Sequence, residues 1–538
     1  MLAIAVPASA HAAASVTLGA TQPAISQDRA EKIAARDPNA VAAKKEHPDL
    51  ATVSERQDGG DWQVGFTANG DEIVQVVVDD QTGIVRESWT GYQVAWKMAR
   101  GYPGAFGRKI SAPYVWLPLC LIFVAGLFDR RRLFRLANLD LLVIVAGFGI
   151  SEFFFNRGDI GLSVPLAYPA LLYLLCRALW LGFRGGEGWR PSVPVTWLVV
   201  AILFLVGFRA GLNIADSNVI DVGYSGVVGA DRIGDGKAIY DNFPENNPRG
   251  DTYGPVAYYA YVPFEQIFPW SGNWDDLPAA HAAAIFFDLA TIAGLWVLGR
   301  RLRPGEAGQK LGVTMAFAWA ACPYTAYALE SNTNDELVAM LLVAAMLVLA
   351  SPIKRGVALG LAGMTKFAPL VLAPLFATYV SPDDDGKHET PRIRAAVLFG
   401  IAFLATVLVV MTQTIADPGI STFWDRTIGF QAGRDSPFSI WGQTSLGPLH
   451  VAVEVLAGVL ALLVAFRPRR KDPYIVAALG AAVLIAFEVT VTHWFYLYIP
   501  WFFALLVIPM AAGVESRSGA TPDRASGSAR PSQPALAR

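Results

Sequence analysis

From residue 113 onward, long apolar stretches alternate with short basic ones. Apolar runs fall at 113–128, 137–155, 162–183, 194–212, 279–299, 311–329, 335–351, 356–380, 394–414, 448–466, 473–491 and 494–513. A helix needs roughly 20 such residues to cross the hydrocarbon core. The earlier part of the chain has a different rhythm. Ser26-Gln27-Asp28-Arg29 starts a helix whose apolar positions are Ala30, Ile33, Ala34 and Val41. Asp61–Thr67 alternates Trp62, Val64 and Phe66 with polar residues, and Asn69-Gly70 is a hairpin turn. Glu72–Val78 is the return strand, and a second turn at Asp79, Asp80 and Gly83 leads to Ile84–Ser88. One helix laid on a small antiparallel sheet is expected for 14–108.

The basic residues orient the spans. Arg130–Arg132 with Arg135, Arg184 to Arg190, Arg300-Arg301 with Arg303, Lys354-Arg355 and Arg467 to Lys471 are placed in the cytoplasm. That puts 14–112, 213–278, 330–334, 415–447 and the turn near His493 outside. A single crossing by 356–380 would carry Arg467–Lys471 to the wrong side. Parity is kept if 356–380 is a hairpin of two half-helices. Its middle, Gly363-Met364-Thr365-Lys366-Phe367-Ala368-Pro369, agrees. Pro369 disfavours helical geometry before it. Lys366 needs a cavity or an anion at that depth. Broken helices are tolerated where they line a cavity. The expected fold is mainly α: a polytopic membrane bundle over 109–514, with about eleven spans plus the hairpin, behind a small α+β extracytoplasmic domain. Residues 1–13 read as an export signal without its basic region, and 515–538 as a disordered cytoplasmic tail.

Composition narrows the classes. Apolar residues make up 54% and charged ones 16%, against roughly 25% charged in soluble domains. A net charge of −2 removes a nucleic-acid binder, which needs a basic face. The three cysteines, at 120, 176 and 322, all sit in apolar runs and form no zinc or disulfide framework. No Walker, dinucleotide or HExxH motif is present. No cofactor or metal is called for, and a divalent cation stays open.

The outer loop 213–278 carries the candidate chemistry. Ser217 or Asn218 caps a helix running to about Ile233, with Gly223, Gly226 and Gly229 at every third position for close approach and valines to lie along the membrane surface. Asp221 and Tyr224 share one face. A carboxylate at the mouth of a membrane cavity can take a proton from an acceptor hydroxyl. A lipid-phosphate leaving group needs positive charge, which Lys366 and His493 can place. Asp216 is the alternative base. In the turn before the 335–351 run, Glu330 and Asn332 can meet sugar hydroxyls. Asn334, in the same turn, is a further substrate-binding candidate, and Asp335 and Glu336 can meet the substrate too, although a helix N-terminus alone accounts for them. Arg249 and Arg434 can meet a phosphate, although solvated positions explain them too. Tyr240 and Tyr253 can stack on a sugar, although aromatic belts also account for such residues. The aromatic stretch 422–447 can close over an acceptor.

Ile25-Ser26…Ala30-Glu31-Lys32-Ile33-Ala34 and Val77-Val78-Asp79-Asp80-Gln81-Thr82-Gly83-Ile84-Val85 resemble a PepSY domain. Five further pieces, in order, resemble the polyprenol-phosphate-sugar-dependent glycosyltransferases of the GT-C fold, nearest to the family 87 mannosyltransferases. They are Asp221-Val222-Gly223-Tyr224…Gly236-Lys237-Ala238-Ile239-Tyr240, Tyr253-Gly254-Pro255…Pro263, Ser331-Asn332-Thr333-Asn334-Asp335, Gly360-Leu361-Ala362…Lys366-Phe367-Ala368-Pro369 and Val489…His493-Trp494. The resemblance implies Asp221 as catalytic base and Lys366 and His493 beside the leaving phosphate. It implies inverting transfer of mannose, or another hexose or pentose, from a polyprenyl-phosphate sugar to a glycolipid or glycan acceptor of the cell envelope. The protein would work in the cell membrane among its lipids, with its active site and N-terminal domain extracytoplasmic. Gly254 stands where the family usually has Pro, and the family's paired His is the single His493. A secondary transporter also has broken helices but usually shows two related halves, and none is seen here. A non-catalytic sensor using the PepSY-like module is the third reading.

Overall fold

The computed structural model describes residues 24–57, 60–101, 108–381, 392–434 and 436–515. The export-signal segment 1–13 and all of the tail beyond Glu515 lie outside the described residues. The chain divides into two compact units, 1–104 and 105–538.

In the first unit, helices α1 (Gln27–Ala34) and α2 (Pro38–Glu46) accompany strands β1 (Ala51–Arg56), β2 (Trp62–Ala68), β3 (Asp71–Val78) and β4 (Val85–Thr90). The strands form an antiparallel meander in the order β1-β2-β3-β4. Asn69 and Gly70 take positive φ at the β2–β3 turn, as its sequence requires. Ala30, Ala34 and Ala40 pack with Trp62, Val64, Val74, Val76 and Val78 in the core. Two expectations are corrected. The single helix is broken, because the Asp37 carboxylate accepts the Asn39 N–H and Pro38 opens a second helix. Val41, expected on the apolar face, is exposed. Strand β1 was not anticipated; its ATVSER sequence has no buried position to give it an alternating signature.

The second unit is a helical membrane bundle. Its spans are α3 (Pro113–Leu127), α4 (Leu136–Phe155), α5 (Ile160–Arg184) and α6 (Val195–Asp216). After the short helix α7 (Asp221–Gly234) come α8 (Pro278–Leu302), the interrupted pair α9 (Gly305–Ala321) and α10 (Pro323–Glu330), and α11 (Asp335–Leu347). The remainder are α12 (Pro352–Gly363), α13 (Ala373–Ala377), α14 (Arg392–Ala416), α15 (Gly447–Phe466), α16 (Pro473–Thr490) and α17 (Ile499–Ala512). Among the described residues seven helices are long and apolar enough to cross a membrane: α4, α5, α6, α8, α14, α15 and α16. The shorter apolar helices fill the other expected spans.

The run 356–380 is the expected hairpin. Helix α12 ends at Gly363, and the chain turns at Met364–Phe367 and returns through a tight turn at Ala368–Leu372 and α13. Arg355, fully buried at the start of α12, fixes the return. It donates to Phe376 O at 2.8 Å, Tyr379 O at 2.6 Å and Leu349 O at 2.8 Å. Both arms therefore begin and finish at one end of the bundle. The same end holds the paired chain segments Gly186 and Val514 and the bond from Arg303 to Ala512 O. It is the arginine-rich end; the hairpin tip and the loops 217–277 and 417–446 occupy the opposite, loop end.

Helix α7 departs from its expected start. Ser217 does not cap it: its hydroxyl meets Asn332, while the N–H groups of Asn218 and Ile220 bond Glu330 O and Ser331 O. The helix starts at Asp221, with Ile220 before it. Nor does it lie on a membrane surface, since residues 222–230 are all buried. The glycine spacing does serve close approach. A Cβ on Gly223 would stand 2.1 Å from Asn332 O, and Gly226 and Gly229 lie against the rings of Tyr261 and Tyr258.

Candidate active site

The hairpin tip presents Lys366 to a ring of groups from distant segments. Its Nζ donates to Asp335 Oδ1 at 2.5 Å, at the first residue of α11. Trp501 Nε1, from the first turn of α17, donates to the same oxygen at 2.9 Å. The ammonium also stands over the rings of Tyr253, Trp501 and Tyr498, at 5.2, 5.3 and 5.6 Å. Rings whose faces carry negative charge stabilise a cation in this way. The loop that brings Tyr253 is held backbone to backbone: Gly254 N–H donates to Thr365 O at 3.1 Å and Val256 N–H to Met364 O at 3.0 Å. This approach explains the departure at 254. A Cβ there would fall 2.1 Å from Met364 O, and proline would lack the N–H.

Lys366 opens onto a cavity of about 380 Å³. Its wall mixes polar groups, among them Lys366, Tyr253, Thr492, His493, Gln431, His450 and Glu454, with apolar ones, Phe367, Ala368, Ile428, Phe487 and Val491. His493 is fixed by Ser436 Oγ, 2.8 Å from its Nδ1. Burial first, then the positive fields of Arg434 and Lys366, hold its pKa well below the usual histidine value. Its ring is therefore neutral at neutral pH. The expectation that His493 adds fixed positive charge is corrected: it can offer a hydrogen bond, and Arg434 and Lys366 carry the charge.

Asp221 presents its side chain to solvent, with protein packed densely around it; it is not among the residues that line the cavity beside Lys366. Burial raises its pKa from the ordinary value; Arg434, the Val222 N–H and Lys366 pull it down less than burial pushes it up. Tyr253 lies in the same field, with burial, Asp221, Tyr498 and Asp335 all pushing its phenol up. Asp221, Arg434, Lys366 and Tyr253 therefore share one electrostatic environment.

Other expected site residues have different engagements. Asp216 ends α6 in an ion pair with Lys109. Tyr224 stacks on Trp274 with centroids 4.6 Å apart. Tyr240, fully buried, donates its hydroxyl to Tyr253 O at 2.9 Å and so supports the site from behind. Arg249 is exposed, over the Phe430 ring. Asn332 does not reach for sugar hydroxyls. Its amide donates to Ser217 Oγ and Asn218 O and accepts from Asn213, knotting α6 to the 331–334 turn. Asn334 is buried, and its amide has no partner among the described residues. Tyr498 and Trp501 were not foreseen, nor was the Arg426–Asp251 clamp, Nε to Oδ2 at 2.7 Å and Nη2 to Oδ1 at 2.7 Å. That clamp holds the 417–446 loop on the 240–254 loop. Among the described residues no group of three His, Cys, Asp or Glu side chains is placed to hold a metal ion.

A carboxylate at the start of α7, a caged lysine and a cavity of mixed polar and apolar lining lie at the loop end of a multi-pass helical bundle. Residues 252–492 match the model of Glycosyltransferase family 87. The chain is similar to that family across this stretch, and it is a membrane glycosyltransferase, acting on a sugar donor and an acceptor. Tyr253, Lys366 and Arg434 fall inside the match; Asp221 and His493 fall outside it. No curated protein matches the chain.

Proposed function

We propose that the protein transfers a sugar from a polyprenyl-phosphate donor to a hydroxyl of a cell-envelope glycolipid or glycan, on the extracytoplasmic side, with inversion. The observation that carries this reading is the mixed cavity lining, with Lys366 and His493 as polar groups and Phe367, Ile428, Phe487 and Val491 as apolar ones. A phosphate joined to a long hydrocarbon needs both kinds of group at once. Asp221 takes the proton of the attacking hydroxyl as the new glycosidic bond forms at the anomeric carbon. The bond from that carbon to the phosphate oxygen breaks, and its electron pair stays on the phosphate. Lys366 and Arg434 stabilise the growing negative charge, and neutral His493 donates a hydrogen bond to it. The raised pKa of Asp221 strengthens it as a base once ionised.

The test is transfer by the purified full chain from polyprenyl-phosphate-mannose or -arabinose to envelope lipid acceptors, beside Asp221→Asn. The variant is expected to melt like the wild type and to lose transfer by at least about 100-fold. Full activity in Asp221→Asn would remove the base. Turnover of neither donor by the wild type would remove the lipid-phosphate reading.

A further inference from the structure

A second cavity, of about 600 Å³, lies at the arginine-rich end. Its walls are the α5–α6 loop at Gly186–Pro191, the early turns of α9, and the chain leaving α17 at Ala511–Glu515. The walls are built rather than incidental. Gly186 and Val514 exchange backbone hydrogen bonds at 2.8 Å, and Trp189 N–H donates to Met510 O at 2.6 Å. A Cβ on Gly188 would stand 2.3 Å from Gly513 N, so the loop lies flush on the end of α17.

The chemistry of this cavity is that of an anion receptor. Arg190, Arg303 and Lys310 line it, three cations beside the two carboxylates of Glu187 and Glu515. Glu187, in the same wall, is already met by Arg135 at 2.6 Å, Arg190 at 3.5 Å and Arg132 at 3.9 Å. No carboxylate pairs with Arg303 or Lys310 among the described residues. Arg303 is aimed by its bond to Ala512 O at 2.7 Å and by the Tyr474 ring. The second, independent observation is Trp189. It lines the cavity at 4% exposure, and its indole N–H has no acceptor among the described residues. A buried donor without an acceptor is costly and marks a place for a partner.

We propose that this cavity binds a phosphate ester, held by Arg190, Arg303, Lys310 and the Trp189 N–H. Its place among helix ends, at the level where lipid headgroups stand, favours an anionic phospholipid headgroup over a soluble ester. The bound phosphate would tie the α5–α6 loop, α9 and α17 together, and α17 carries Trp501 at its other end.

The experiment uses delipidated full-length protein in detergent, titrated with phosphatidylglycerol, phosphatidylcholine or inorganic phosphate, and read by native mass spectrometry and thermal melting. Phosphatidylglycerol is expected to bind and raise the melting temperature, and phosphatidylcholine to do neither. Lys310→Gln and Arg190→Gln should each weaken binding by about tenfold, and Trp189→Phe, which keeps the ring and loses the N–H, by less. Arg131→Gln, at the same end but outside the cavity, should leave it unchanged. Binding of inorganic phosphate with this same variant pattern, without phosphatidylglycerol, keeps the site and assigns it to a soluble ester. Equal binding of phosphatidylcholine, or an Arg131→Gln loss as large as that of Lys310→Gln, overturns the proposal.

Discussion

Two titrating groups of the candidate site, Asp221 and His493, are pushed in opposite directions, and the pH profile of transfer should follow from both. Asp221 acts as a base only when ionised, and burial raises its pKa. The ionised fraction is then lost at a higher pH than for an ordinary aspartate, near 3.9. His493 is held down, so it protonates only below the usual histidine range. On the acid side kcat/KM should therefore fall with a limb above about pH 4, and Asp221→Glu should move that limb. A limb at the ordinary aspartate value would deny Asp221 the base role. Lys366 and Asp335 make a second residue-scale case. Removing one partner of a buried pair leaves the other charge stranded, at a cost of about 3–5 kcal/mol. Lys366→Met should lower the melting temperature sharply, and Lys366→Met with Asp335→Asn should recover most of it. Transfer should stay lost in both, because the cation is missing from the cavity wall. Recovery of transfer in the double variant would make the pair structural alone.

At the scale of elements, the docking of the 252–256 loop on the hairpin tip decides the shape of the site. Gly254→Ala puts a methyl where Met364 O stands. The loop must lift by part of an ångström, taking Tyr253 off Lys366. Overpacking of this kind costs about 1–3 kcal/mol, and misplacement near 1 Å can cost about 100-fold in rate. Gly254→Ala is thus expected to lose far more transfer than stability, measured by steady-state kinetics beside thermal melting. Gly254→Pro should do no better, since it deletes the bond to Thr365 O. Unchanged kcat/KM in Gly254→Ala would show that the contact does not shape the site. How much of this was legible differs by element. The hairpin was readable because charge parity, Lys366 and Pro369 each left a local mark. Tyr498 and Trp501 were not, because aromatic residues at a span end look alike whether they face lipid or cage a lysine. Asn332 was misread because a polar turn between spans looks open until its hydrogen bonds to Ser217, Asn218 and Asn213 are seen. The start of α7 was missed because its preceding backbone bonds to the 330–331 turn, 110 or so positions away, where no local capping rule applies.

For the whole molecule, two buried ion pairs inside the bundle make a contrast. Arg209 and Asp288 are buried and satisfied by each other, with Nη2 to Oδ1 at 2.6 Å and Trp319 Nε1 on the same oxygen at 2.8 Å. They lock α6 to α8. Lys366 is paired but also borders a cavity, which is what separates a working charge from a structural one. The hairpin that delivers Lys366 also sets the direction of every later span, because it returns to the end from which it left. Thr378, just past α13, confirms the return by donating to Ala465 O at 2.7 Å, beside the Arg467–Lys471 cluster. Lys354 before the hairpin and Arg470 after it should therefore face the same compartment, and Glu245 the other. All three are exposed. In a background with Cys120, Cys176 and Cys322 replaced by alanine, single cysteines at these positions should react accordingly with a membrane-impermeant thiol reagent. Lys354→Cys and Arg470→Cys should label together from one side of sealed vesicles, and Glu245→Cys from the opposite side. Labelling of Arg470→Cys alongside Glu245→Cys would make the hairpin a full crossing and reverse α14 to α17, carrying His493 to the far side from Asp221 and leaving no shared chamber for transfer.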